Sequence, residues 1–167
     1  VRAVFDRIRD ERGRLDILVN NAGSAQDMGR HIGKLAWQQP LEAWDEVHRV
    51  GLRSAYVASV FAAPLMLEQR SGLIANISSM GAVSYLHSVA YGTAKAGLDK
   101  LAADLAHELR PHEVTVVSLW PGLVRTELIL SQSRANGRGG LEMVLPRHAG
   151  EDGPDQAIDL AISESPR

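Results

Sequence analysis

Three short runs of apolar, β-branched residues punctuate the chain: LDILV at 15–19, LIANI at 73–77 and VTVVSL at 114–119. None alternates strictly between apolar and polar, which is the pattern of strands covered on both faces. Between these runs the apolar positions recur at helical spacing. Val1, Val4, Phe5 and Ile8 share one face of a helix over about 1–12. Gly13 closes it, because glycine accepts the left-handed conformation of a helix C-cap. Pro40 suits the first turn of a helix entering LEAWDEVHRV. SAYVASVFAAPLMLEQ continues helically, with Pro64 expected to kink or interrupt it. From about 89 to 110, Ala94, Leu98, Leu101, Leu105 and Leu109 mark a single stripe. SRANGRGG at 133–140 reads as a loop, and EDGPDQAIDLAIS as a last helix. Alternating helices and strands predict an α/β fold, a parallel sheet with crossover helices. No repeat, low-complexity tract or linker divides the 167 residues, so 1–167 reads as a single domain.

Composition narrows the partners. A formal net charge of −2 supplies no electrostatic attraction to nucleic acid or to an anionic membrane. With no cysteine there is no disulfide framework and no thiolate metal site, as suits a reducing, cytoplasmic setting. No apolar run approaches the about 20 residues that span a bilayer, and VRAVFDRIRDERGRLD lacks a signal peptide's continuous apolar core.

The candidate chemistry lies in IANISSMGAVSYLHSVAYGTAK. Tyr91 and Lys95 stand four residues apart at the head of a helix and project from the same face. A free tyrosine titrates near pH ~10, too high for a base at neutrality; an adjacent ammonium favours the phenolate and makes proton transfer useful. Ser78 and Ser79 follow the second strand, where ligands of open α/β sheets bind. A hydroxyl there can donate to a substrate oxygen as charge develops on it. No G-x-S-x-G elbow surrounds either serine, so neither reads as a nucleophile. His107 and Glu108 begin an H-E-x-x-H pattern, but Pro111 occupies the second histidine's place, and the six histidines show no metal-ligand spacing. No metal is expected. Glu42, Asp45 and Glu46 read as an exposed helix face, and Trp37, Trp44 and Trp120 as core or pocket wall.

Taken together, VNNAG (19–23), NISS (76–79), YGTAK (91–95) and WPGLVRTEL (120–128) resemble, in order and spacing, the short-chain dehydrogenase/reductase family over residues 1 to about 130. The resemblance implies a Rossmann fold and reversible hydride transfer between NAD(P)H and a carbonyl or secondary alcohol. It implies Tyr91 as catalytic acid/base and cofactor contact, Lys95 as its activator and holder of the nicotinamide ribose, and Ser79 as the group orienting the substrate oxygen. Asn20, Ala22 and Gly23 would lie along the cofactor's path, Pro121 and Gly122 beside the nicotinamide, and Thr126 against the cofactor. It also implies a homo-oligomer built on the helices near 52–68 and 89–110. Two departures stand out. Many members place the serine thirteen residues before the tyrosine, where this chain has Ser78; Ser79 aligns better with the second serine of NISS. Gly51 stands where the family carries a helix asparagine that supports a water near the lysine.

The family opens with Thr-Gly-x-x-x-Gly-x-Gly after a strand, letting the backbone approach a pyrophosphate at a helix N-terminus. No such element precedes Val1, and neither GRHIG (29–33) nor GRGG (137–140) substitutes for it. The expectation is therefore a partial Rossmann fold, a doubly wound parallel sheet with flanking helices, lacking the first βαβαβ half and the last strand. This would be the carboxyl-terminal catalytic half, with 130–150 as a mobile substrate loop and LDILV as an apolar edge. By itself such a chain is expected to bind nucleotide poorly and to be inactive. The alternative is a non-catalytic fragment acting through self-association.

Overall fold

In the computed structural model, residues 1–23, 31, 34–122 and 124 are described, together with the backbone of three short strands beyond them. The chain opens with helix α1 (Arg2–Arg12) and strand β1 (Ile17–Asn20), then enters helix α2 (Leu41–Val47). A π-helical segment, His48–Arg53, joins α2 to α3 (Ser54–Gln69). Strand β2 (Gly72–Ile77), helix α4 (Val89–Leu109) and strand β3 (Val114–Leu119) follow. The three strands form one parallel sheet in the order β1-β2-β3. Ile17 stands beside Leu73 and Leu73 beside Thr115; Asn20 stands beside Asn76 and Asn76 beside Ser118. This half-sheet with its helices is a partial Rossmann fold.

Gly13 ends α1 as its position predicts. Its φ is 65° and its N–H reaches the carbonyls of Arg9 and Ile8. Pro64 behaves otherwise, for α3 runs on through it to Gln69. The carbonyl that loses its partner belongs to Val60, whose side of the helix is open to water (45% exposed), while Ala62, Leu65 and Met66 are buried. Burial of that face outweighs one solvated carbonyl. Leu41–Gln69 is in consequence a continuous helix of 29 residues, long and apolar enough by composition to cross a membrane, a test that helices packed in a core also meet. The wide turn between α2 and α3 is partly closed by Ser54, whose hydroxyl donates to the carbonyl of Val50.

The core lies on one face of the sheet. Phe5 of α1, Ala62, Leu65 and Met66 of α3 and Ala102 and Leu109 of α4 pack against Ile74, Val114 and Val116. The opposite face corrects the expectation of strands covered on both sides: Ile17 and Val19 are 57% and 56% exposed. Among the described residues no helix covers them, and β1 pairs with β2 alone. The apolar run 15–19 reads identically whether its outer face is covered or bare.

The carboxyl-terminal reading is also corrected. Strands β4 (Ser133–Ala135), β5 (Leu141–Leu145) and β6 (Gln156–Leu160) form a second sheet, antiparallel throughout. The expected loop at 133–140 thus contains a strand, and the expected helix contains β6. In QAIDL, Ile158 and Leu160 stand two apart, as a strand requires, and the ladder with β5 satisfies its backbone groups. The remainder of the expected substrate loop at 130–150 lies outside the described residues.

Candidate active site

The site forms where β2 ends and α4 begins. Ser79 leaves the strand in extended conformation, and its hydroxyl accepts a hydrogen bond from the N–H of Gly81. Nine positions on, Ser88 caps α4, its hydroxyl accepting from the N–H of Tyr91. These two turns bring Ser79 Oγ to 3.0 Å from Tyr91 Oη. The approach needs a bare α-carbon between them: a Cβ on Gly81 would lie 2.7 Å from Tyr91 Cε1 and 3.1 Å from Ser79 Oγ. Ser78 is spent elsewhere. It is buried, and its hydroxyl donates to the carbonyl of Lys95, tying α4 to the sheet.

Lys95 reaches back over the same ring. Its Nζ lies 5.5 Å from the centroid of Tyr91 and donates to the carbonyl of Ile77 at 2.9 Å. Burial pushes the ammonium below its ordinary value, and the charge of Asp99 opposes that shift. Asp99 is held in turn: Ser118 Oγ donates to it at 2.5 Å and Trp120 Nε1 at 3.1 Å. This bracket fixes the point at which the chain leaves β3 toward Pro121 and Gly122.

A group whose folded value is depressed, as for Lys95, weakens folding while it is charged. Stability is therefore gained as pH rises from the folded value toward the ordinary lysine value. The Asp99→Asn change removes the opposing charge and two charge-assisted acceptor contacts. It should cost about 1–3 kcal/mol at neutral pH, with the gap to wild type narrowing at alkaline pH as Lys95 discharges. Urea unfolding at both pH values measures this; a gap independent of pH would deny the coupling to Lys95.

A cavity of about 220 Å³ opens beside Tyr91 and Lys95, bordered by Asn21, Ala22, Gly23, Gly51 and Ile77. Of the residues singled out in the sequence, Ala22, Gly23, Tyr91 and Lys95 line it, and Ser79 joins them through its contact with Tyr91. Pro121 and Gly122 stand beyond β3 and are not among its walls. Thr126 lies outside the described residues. Asn20 turns inward: its amide donates to Asn76 Oδ1 at 2.8 Å and to Ser59 Oγ at 3.2 Å. The neighbouring Asn21 presents to the cavity instead, as successive residues leaving a strand point to opposite faces. Gly51 keeps the cavity open below Lys95, since no atom lies within 4 Å of where its Cβ would be. The glycine at 97 lets the π segment come this close, because a Cβ there would meet Leu52 Cδ2 at 2.7 Å.

Three residues escaped the reading of the sequence. Asn21 was masked by its twin in NNAG. Asp99, one turn beyond Lys95, carried a usable signal in its spacing. His87, beside Tyr91, had none. Among the described residues no three His, Asp or Glu groups gather as a metal site would require.

A model of the short chain dehydrogenase family matches residues 1–136. Dehydrogenase/reductase SDR family member 1 of Homo sapiens is 50% identical over 131 residues, 77% of this chain and 42% of that protein. The 3-oxoacyl-acyl-carrier-protein reductase of Aquifex aeolicus is 36% identical over 129 residues, 77% of this chain and 50% of the relative. The chain thus spans about half the length of these curated relatives, or less. Among solved structures, a metagenomic short-chain oxidoreductase in complex with NADP superposes with a TM-score of 0.64 at 33% identity, covering 73% of this chain and 53% of that one. ElxO with NADP bound gives 0.72 at 25%, covering 78% and 51%. With Ser79, Tyr91 and Lys95 converging at the end of a parallel strand, and the family match extending over most of its residues, this chain belongs to the short-chain dehydrogenases.

Proposed function

We propose that this chain forms the acid/base half of an NAD(P)-dependent oxidoreductase interconverting a carbonyl and a secondary alcohol. The observation that carries the reading is the 3.0 Å contact between Ser79 Oγ and Tyr91 Oη beneath the amine of Lys95. In the direction of reduction, Ser79 orients the substrate oxygen and Tyr91 donates its phenolic proton to that oxygen as negative charge gathers there. The ammonium of Lys95 stabilises the phenolate left behind. In oxidation the same groups act in reverse, with Tyr91 as base. A bound nicotinamide supplies or receives the hydride.

The residues present suit one end of such a cofactor. Lys95 can release Ile77 and turn its ammonium to a ribose hydroxyl, Asn21 adds an amide, and the bare Gly23 permits close backbone approach. Pro121 and Gly122 would flank the nicotinamide, and Thr126 would add a contact. A cavity of about 220 Å³ falls below the roughly 300–1,000 Å³ of sites that enclose whole ligands. It fits the nicotinamide–ribose part, and the adenosine end needs other surface.

The 167-residue chain alone should accordingly bind NADH and NADPH more weakly than micromolar, whereas the intact gene product should consume NAD(P)H with a small carbonyl substrate. Isothermal titration of the one and turnover of the other test the reading. Micromolar binding by the chain alone would overturn the weak-binding part, and an inert gene product would overturn the oxidoreductase itself. A homo-oligomer built on α3 and α4 belongs to the same reading, supported by Tyr56 and Val60, exposed on α3.

A second reading has an observation of its own in the sheet face at Ile17 and Val19, which no described residue covers. In it, the isolated chain is a non-catalytic piece that self-associates through that face. A compact monomer in size-exclusion chromatography would count against it.

A further inference from the structure

His87 stands two residues before α4, at φ 62°. Across it, the N–H of Ser88 donates to the carbonyl of Leu86 at 2.8 Å. A three-residue turn about a positive φ is the uncommon, strained form of the γ-turn, and such strain persists only where the surroundings enforce it. The turn places the imidazole in T-shaped contact with the ring of Tyr91, with centroids 5.0 Å apart and planes at 88°. The imidazole is half-buried, and burial pushes its pKa below the ordinary histidine value. At neutral pH it is uncharged, with one ring nitrogen donating and the other accepting. Among the described residues neither nitrogen has a hydrogen-bond partner. A strained turn thus carries a neutral donor–acceptor pair to the flank of the proposed acid/base, with no partner for it among the described residues.

We propose that His87 is a substrate-binding residue, selecting carbonyl compounds that carry a second oxygen function on the adjacent carbon or the one beyond it. This rests on the oxidoreductase reading, with Tyr91 Oη taking the reacting oxygen. The imidazole beside the same ring then meets a hydroxyl or carbonyl oxygen three or four bonds from the reacting one. α-Hydroxyketones and β-dicarbonyl compounds satisfy both groups at once. A simple alkyl ketone excludes water from the imidazole without replacing its hydrogen bonds, and a site left with unpaired polar atoms disfavours such a substrate.

The test uses the intact gene product with hydroxyacetone, ethyl acetoacetate and, as the monofunctional control, methyl ethyl ketone. His87→Phe keeps an aromatic edge against Tyr91 and removes the ring nitrogens. It should lower kcat/KM for the two oxygenated substrates by about tenfold or more and leave the control within about threefold. His87→Asn, which tolerates a positive φ and restores a donor and an acceptor, should recover most of the loss. An equal fall on all three substrates would mean that the imidazole only props Tyr91, and no fall would mean that it touches no substrate; either overturns the proposal. A second readout is independent of turnover. The imidazole C–H resonance missing from His87→Phe should shift in wild type on adding ethyl acetoacetate. A shift without NAD(P)H consumption leaves His87 assigned and sinks the oxidoreductase reading. Consumption with an unmoved resonance and equal effects on all substrates does the reverse.

Discussion

Replacing Tyr91 by phenylalanine in the intact gene product should lower kcat by about 10²–10⁴-fold, the range that a positioned proton donor contributes. The expectation follows from how little else the change touches. The ring keeps its place over Gly81 and its edge contact with His87, because both involve carbon positions that phenylalanine retains. Lys95 keeps its bond to the carbonyl of Ile77, and Ser88 still caps α4 through the backbone of residue 91. What disappears is one oxygen and its 3.0 Å partnership with Ser79. Affinity for NAD(P)H should accordingly stay within about twofold, separating lost transition-state stabilisation from lost binding. Steady-state kinetics beside a fluorescence titration of the cofactor measure both quantities. Full turnover in the variant would hand the acid's role to another group, and a collapse of cofactor affinity would make Tyr91 a structural element first.

The largest expected effect on stability lies elsewhere. Met66 is fully buried at the centre of the helix-covered face, and its side chain fills the space above Gly72, where a Cβ would lie 2.5 Å from Met66 Cγ and Sδ. Met66→Ala should cost about 2–5 kcal/mol, lost transfer energy plus the cavity left behind. Set against the roughly 5–15 kcal/mol of an ordinary domain, that is a large share of the whole. Urea unfolding followed by circular dichroism gives the value. A cost under about 1 kcal/mol would mean that α3 and β2 do not enclose this side chain as described.

Much of this arrangement is legible along the chain because its signals are local. The β-branched runs at 73–77 and 114–119 coincide with β2 and β3 to within a residue, and the stripe from Ala94 to Leu109 lies within α4. Tyr91 and Lys95 share a helix face by spacing alone, and the resemblance supplied Ser79. What eluded the reading depends on distant partners. Whether Val19 is covered turns on chain far from it, and whether Pro64 breaks a helix turns on the burial of Ala62 and Leu65. Ile158 and Leu160 fit a helix or a strand until Leu141–Leu145 lies alongside. Asn20 and Asn21 cannot be told apart until Asn76 and Ser59 are seen to claim the first. His87 sits where no periodicity speaks, and its approach to Tyr91 rests on a backbone angle.

The π segment bears on how the cavity could be resized. An α-helix advances about 100° per residue, and a π turn holds one residue more than the α-helix on either side needs. Deleting a single residue within His48–Arg53 would let this segment close as α-helix with α2 kept in phase, and would redraw the stretch of cavity wall that Gly51 now forms. Ala55, Ala62, Leu65 and Met66, downstream of the deletion, would keep their hold on the sheet. Shortening the polypeptide by one position, with no side chain exchanged in the core, is thus a route to a differently shaped pocket, and a library varying length here would sample it directly.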